Sequence, residues 1–185
     1  MSKDKVQMYH DDTIVRDTVI EIRDSIESYE DYYDVLKFLP TLKASDNLTI
    51  AIDCPGGRCD VGFALIKAIS SVPCIIKCVV TAPSYSIGAL LAMCGDHLVL
   101  EEDSYIMFHD FSSGMSGKGE GEGGGGGGDM ALYLNNYRAV FIKRFNKLCM
   151  PFLSKKESAA MFNGKDIYIH DNDPTLQERI KRHFR

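Results

Sequence analysis

A chain of 185 residues with 45% hydrophobic content amounts to one ordinary domain and suffices for one sizeable core. Its net charge of -5, with acids and bases mixed along the chain, excludes a broad basic face for nucleic acid, and the locally basic end from Glu178 to Arg185 reads as a solvated helix end. No run approaches the roughly 20 apolar residues that span a bilayer, and the opening MSKDKVQMYHDD is too polar for a signal peptide, so a cytoplasmic protein without membrane or nucleic-acid partners is expected.

In chain order, Thr18 to Asp24 (TVIEIRD) alternates like a strand, and Ser28 with Asp31 forms a potential capping box before the helical stretch YEDYYDVLKFLPTLKA. Pro40 is expected to kink or shorten that helix. Two apolar, β-branched runs follow, LTIAID (48–53) and CIIKCVV (74–80), joined by the helix-like VGFALIKAIS. Such strands with a helical crossover predict a parallel sheet covered on both faces, hence an α/β fold. SIGALLAMC reads as a buried helix, and HLVLEE and YIMFHD as strands. Residues 116–129, SGKGEGEGGGGGGD, are low-complexity and read as a flexible insertion in a single domain spanning 1–185. Beyond it come the helical MALYLNNYRAVFIKRFNKLCM, a second helix SKKESAAMF, a short strand DIYIHD and a terminal helix. There is no internal repeat.

The six cysteines include Cys74, Cys78 and Cys94 inside apolar runs, and neither Cys54/Cys59 nor Cys74/Cys78 has CxxC spacing. Buried free thiols are expected, with no metal. The glycine run is not a phosphate loop: GxxxxGK[ST] is missing and Glu120 and Glu122 would repel an anion, so no nucleotide or other cofactor is expected.

Ser86 is more informative, because it follows the strand CIIKCVV and opens an apolar helix, with the Ile87 N–H free to meet an oxyanion. An ordinary serine N-cap has the same pattern. Gly56 and Gly57 in the PGG after LTIAID can adopt positive φ and turn an N–H toward the same crevice, although PGG alone is an ordinary turn. His109 stands near the end of the run YIMFHD at the sheet edge, where a structural histidine is the plainer reading. For an acid, Asp166, Asp171 and Asp173 all lie near the last strand. Asp166 is taken because it opens that strand, whereas Asp171 and Asp173 follow it in turn-like sequence. The order Ser86, His109, Asp166 differs from the Ser, Asp, His order of α/β-hydrolases, and PSYSIGA has Ser84 where GxSxG has its first glycine.

At these residues the chain resembles a known family. IDCPGGRCDVGFALIKAI is similar to the N-S-P-G-G segment and following helix of the Clp protease proteolytic subunit (ClpP), and SYSIGALLAMCGDHLVLEEDSYIMFHD to that family's A-S-M-G-A, strand and M-I-H. The resemblance is ordered over roughly 48–111 and looser around KDIYIH. It implies a ClpP/crotonase-like, mostly parallel α/β fold and a serine endopeptidase with Ser86 as nucleophile, His109 as base, Asp166 as orienting acid and the Gly57 and Ile87 amides as oxyanion hole. It further implies peptide or protein substrates, a homo-oligomeric ring such as the double heptamer, and an AAA+ unfoldase partner. The chain departs from the family at Cys54, which replaces a serine before PGG, at Tyr85 and Ile87 beside the nucleophile, and at the glycine run, which occupies the place of the substrate-lining strand and inter-ring handle. Competing readings are a crotonase-type acyl-CoA enzyme, disfavoured by the Ser86/His109 pair, a catalytically silent ring subunit, and a virus-type maturation protease of the same fold.

Overall fold

A computed structural model describes residues 15–111 and 127–184. The main sheet holds four parallel strands in the order β1 (Asp17–Arg23), β2 (Asn47–Asp53), β3 (Ile75–Val80) and β5 (His97–Leu100). A second sheet of three pairs β4 (Ser84–Tyr85) in parallel with β6 (Tyr105–Phe108), and β6 antiparallel with β7 (Ile167–His170). The helices are α1 (Tyr33–Phe38), α2 (Cys59–Ile69), α3 (Ile87–Ala92), α4 (Gly127–Cys149), α5 (Lys155–Phe162) and α6 (Leu176–His183). The mostly parallel α/β architecture expected from the apolar strands is therefore present.

Among the described residues the second face of the sheet is only partly covered. Leu48, Ile50, Ile52, Ile76, Cys78, Val80 and Leu98 point into one buried cluster with α2 and α3, whereas Val19, Ile75 and Val99 on the opposite face are exposed. A two-residue period explains this: Thr49, Lys77 and Glu21 share the outer face with those valines and Ile75, and the polar members keep it compatible with water.

Two local expectations also change. Ser28 and Asp31 do not form a capping box; Ser28 Oγ accepts from the Glu30 N–H at 3.2 Å, and the chain takes a single 3-10 turn at Glu30–Tyr32 before α1. Pro40 does stop α1, as expected from its missing N–H, and a 3-10 turn at Leu39–Thr41 carries the chain on. The glycine-rich 116–129 stretch lies outside the described residues up to 126. Its last three positions, 127–129, read as loop in the sequence, belong to α4, since a helix once nucleated extends at one hydrogen bond per residue even through glycine. The six cysteines are free thiols, five of them buried and Cys59 half-buried.

A capping box does form at the start of α5. Ser154 Oγ accepts from the Glu157 N–H, and the Glu157 carboxylate accepts from the Ser154 N–H at 2.8 Å. The same carboxylate receives two bonds from Arg179 of α6, at 2.7 and 3.1 Å, and Arg179 also donates to the Phe152 carbonyl. This pair locks α6 onto α5 and so fixes where β7, which lies between them, meets β6. The Arg179 guanidinium, with the Ser154 amide, holds the Glu157 carboxyl down to about 2 from an ordinary 4.5.

A depressed carboxyl stabilises the fold above its unfolded pKa, and that contribution fades as pH falls from about 4.5 toward 2. With the side chain 27% exposed, the effect is worth roughly 2 kcal/mol at neutral pH. Glu157→Gln is expected to lower the melting temperature by roughly 4–8 °C at pH 7, with the gap to wild type shrinking below pH 4. A pH-independent gap in a thermal melt series would assign the loss to the cap alone.

Candidate active site

The end of β2 and the start of α3 approach one another through backbone rather than side chains. The Tyr85 N–H donates to the Cys54 carbonyl at 3.0 Å, and Ser84 Oγ accepts from the Cys54 N–H at 3.2 Å. At Gly88 an added Cβ would stand 2.3 Å from the Cys54 carbonyl oxygen, so only glycine lets α3 sit this close. Gly62 of α2 is under the same constraint from the other side, with Ile87 packed where its Cβ would be. The first turn of α3 is thus pinned against both β2 and α2.

Ser86 stands at that junction with φ 55° and ψ -122°, a left-handed conformation rare for a residue with a side chain. Its N–H donates to the Met107 carbonyl of β6 at 2.9 Å and its carbonyl accepts from the Leu90 N–H at 3.1 Å, so both backbone groups hold the turn. Its hydroxyl does not cap α3, and among the described residues Oγ has no hydrogen-bond partner. A strained, half-exposed serine whose hydroxyl leaves the helix amides unserved is the opposite of an ordinary N-cap. The Ile87 N–H, first in α3, precedes the first intrahelical bond and has no helical acceptor.

Gly56 and Gly57 both have positive φ, 117° and 134°. Ile26 bridges this turn, its N–H donating to the Gly56 carbonyl (2.8 Å) and its carbonyl accepting from the Arg58 N–H (2.7 Å). That bridge uses neither polar group of Gly57, whose amide therefore leaves the ladder on the side away from Ile26. A Cβ at Gly56 would lie 2.9 Å from the Ser86 Cβ and 3.5 Å from its Oγ. The PGG turn is consequently the wall beside the Ser86 hydroxyl.

His109 follows β6 directly and lines a narrow crevice with Ser86, Leu90, Phe108, Phe141 and Phe145. Among the described residues no hydrogen bond joins it to Ser86. Its Nδ1 bonds the Asp110 carbonyl at 2.5 Å; a carbonyl only accepts, so Nδ1 carries the proton and Nε2 is the basic nitrogen of the neutral ring. Asp166 precedes β7, and continuing the antiparallel register, in which Phe108 faces Ile167, by one residue sets it opposite His109. Its carboxylate is exposed, and no hydrogen bond to the imidazole is present among the described residues. Asp171 accepts weakly from the Asp103 N–H (3.3 Å), and Asp173 Oδ1 accepts from the Thr175 N–H and hydroxyl before α6. Both are turn and cap groups.

Cys54, which precedes the PGG turn, is an inert thiol. It is fully buried, its S–H points to the Gly56 carbonyl at 3.5 Å, and burial pushes its pKa up. On the far side of Ser86, the Tyr85 and Tyr105 hydroxyls share a hydrogen bond of 2.7 Å, which raises the Tyr85 pKa. Among the described residues there is no cluster of side chains able to hold a metal ion. Sequence reasoning missed Asp110 and Arg138, whose carboxylate and guanidinium pair beside His109. They lie 28 residues apart across the glycine run, and no spacing rule connects them.

The constraints at Gly56 generate a test. Gly56→Ala must carry an unfavourable φ and crowd Ser86, at a cost of roughly 1–3 kcal/mol. It is expected to lower the melting temperature by several degrees, whereas Gly164→Ala, also at positive φ but with open space around it, should cost only the conformational part. Equal melts for the two variants would show that Gly56 is not pressed against Ser86.

Comparison with known proteins bears on the fold and the family. The structure is similar to that of a ClpP1 mutant from Listeria monocytogenes, with a TM-score of 0.67 over 88% of each chain and 17% sequence identity, a likeness of fold. No curated protein matches the sequence. The sequence profile of the family described as Clp protease matches residues 2–121. A match over that much of the chain, spanning the PGG turn, Ser86 and His109, together with the shared fold, makes this chain a member of the Clp protease family.

Proposed function

We propose that the chain is a serine endopeptidase in which Ser86 is the nucleophile and His109 the general base. The single observation that carries this reading is Ser86 itself: a serine held at φ 55° with its hydroxyl uncommitted, in one crevice with a histidine whose Nδ1 is engaged by the Asp110 carbonyl, which leaves Nε2 as the basic nitrogen of the neutral ring. A capping or structural serine would have no reason to store that strain.

In this reading Nε2 takes the Ser86 proton as Oγ attacks a peptide carbonyl carbon, and the carbonyl π electrons move onto oxygen. The amides of Gly57 and Ile87 donate to that oxyanion. Collapse expels the amine, which takes the proton from the imidazolium, and water repeats the sequence to release the acyl group. An oxyanion donor is worth about 3 kcal/mol and a general base about 10²- to 10⁴-fold. Phe108, Phe141 and Phe145 keep the crevice poor in water, which strengthens both contributions.

Asp166 contributes as a negative charge across the strand register. It stabilises the imidazolium through space, because the bond to Nδ1 is already made by the Asp110 carbonyl. Ring assembly, peptide or protein substrates and an AAA+ unfoldase are the partners the family suggests. Among the described residues no helix is long and apolar enough to cross a membrane, and a cytoplasmic site of action accords with the reading.

A fluorophosphonate probe is expected to label Ser86 in the full chain, and Ser86→Ala to abolish labelling. Labelling that persists in Ser86→Ala would overturn the assignment, and an unreactive wild type would favour a catalytically silent ring subunit. Asp166→Asn is expected to reduce turnover of a fluorogenic peptide by about tenfold or less, since only a screened charge is lost. A fall near 10⁴-fold would instead make Asp166 the bonded acid of a standard triad.

A further inference from the structure

One ion pair beside the site connects α4 to the base. Arg138 of α4 donates from Nε (3.2 Å) and Nη2 (2.5 Å) to Asp110 Oδ2, and the same Nη2 donates to the Phe162 carbonyl at 3.1 Å. The guanidinium is 40% exposed and the carboxylate 23%. Pairs this exposed contribute little to stability, so the geometry they hold is of more interest than their strength.

That geometry converges on one peptide plane. The other Asp110 oxygen, Oδ1, accepts from the Phe111 N–H at 2.7 Å, while the Asp110 carbonyl accepts from His109 Nδ1. The Asp110 carbonyl and the Phe111 N–H belong to the same planar peptide unit. Its N–H end is held by the carboxylate that Arg138 grips, and its C=O end holds the imidazole. Rotation of this plane would withdraw both bonds together. The Phe111 ring is also packed on α4, 5.1 Å from Tyr137 and 5.8 Å from Phe141 between ring centres, so α4 secures the plane by its side chain as well. Phe162 ends α5, four residues before Asp166; a single guanidinium therefore ties the segment bearing the base to the one leading to the facing carboxylate.

We infer that Arg138 is a positioning residue: through the Asp110 carboxylate and the Asp110–Phe111 peptide plane it holds His109 in the tautomer with Nδ1 protonated and Nε2 free to accept the Ser86 proton. This inference rests on the serine peptidase reading for its catalytic consequence, but not for the tautomer itself. Among the described residues, the charged groups on the elements facing the imidazole are Asp110 on its own segment, Arg138 from α4 and Asp166 one register step before β7; Leu90 of α3 and Phe141 and Phe145 of α4 make the crevice walls apolar. A lysine at 138 keeps the charge but cannot repeat the guanidinium's planar fork to two acceptors.

The experiment uses the full chain with 15N-labelled histidine. Two-bond proton–nitrogen correlation reads the His109 tautomer, and the rate of fluorophosphonate labelling reads Ser86 reactivity. In wild type the neutral His109 ring should carry its proton on Nδ1. Arg138→Gln should shift the ring toward an average of both tautomers and slow labelling about tenfold, a part of what a general base supplies, with the melt lowered by no more than a few degrees. Arg138→Lys should recover part of both signals. Asp110→Asn should match Arg138→Gln, and the double variant should be no worse than either single, as for two parts of one unit.

An unchanged tautomer in Arg138→Gln and Asp110→Asn would overturn the inference whatever the labelling does, as would strictly additive losses in the double variant. Should Arg138→Gln fail to fold, Asp110→Asn and Arg138→Lys carry the same two readouts. If wild type is not labelled at all, the peptidase reading fails, while the tautomer shift still decides the role of Arg138.

Discussion

The structure depends on the contact between the backbone leaving β2 and the backbone entering α3. Tyr85 donates to the Cys54 carbonyl, Gly88 lies where any Cβ would strike that same carbonyl, and Gly56 faces the Ser86 side chain. A glycine interface of this kind brings two chain segments within a few ångströms without side chains between them. It places a helix start, a strand end and two positive-φ residues around one serine, and the main sheet, α2 and β6 are arranged so that each braces one side of it.

Charge is distributed unevenly around that point. The crevice shared by Ser86 and His109 is walled by Leu90, Phe108, Phe141 and Phe145, while the charged groups stay on the rim facing α4 and the start of β7. An apolar wall makes a polar interaction inside it stronger than the same one in water. It also explains why Cys54 is tolerated beside Ser86: burial pushes its pKa up, and its thiol takes the part of a small hydrophobe.

Positions far from the crevice serve it by fixing register. The Arg179–Glu157 pair and the Ser154 cap hold α5 and α6 as one unit, and β7 spans the interval between them. Because strand register is all-or-none in steps of one residue, holding both flanks of β7 determines which residue stands opposite His109. A one-residue slip would move Ile167 and Ile169 off the buried face, so the apolar core and the site are protected by the same constraint.

Much of this was legible in the sequence, for reasons tied to particular elements. The runs LTIAID and CIIKCVV are apolar enough to be strands wherever they fall, the 3.6 period of VGFALIKAIS gives a helix with one buried face, and the continuously apolar SIGALLAMC gives one buried all round. PGG after a strand and serine before an apolar helix marked the two sides of the crevice, because positive φ and a helix start are properties of a few consecutive residues. Cover over the outer face of the main sheet was less legible, since apolar residues on both faces of a strand do not state whether anything covers the second one, and among the described residues Val19, Ile75 and Val99 stay exposed. Ser28 and Asp31 carried a capping pattern that the chain did not use, whereas Ser154 and Glu157 formed one that had gone unremarked. That His109 Nδ1 meets the Asp110 carbonyl, that Asp110 meets Arg138 across 28 residues, and that Asp166 stands opposite His109 with no hydrogen bond to it among the described residues were decided only by the tertiary structure. Local sequence sets backbone propensity over a few residues, but hydrogen bonds between distant segments follow from how the packed core brings those segments together.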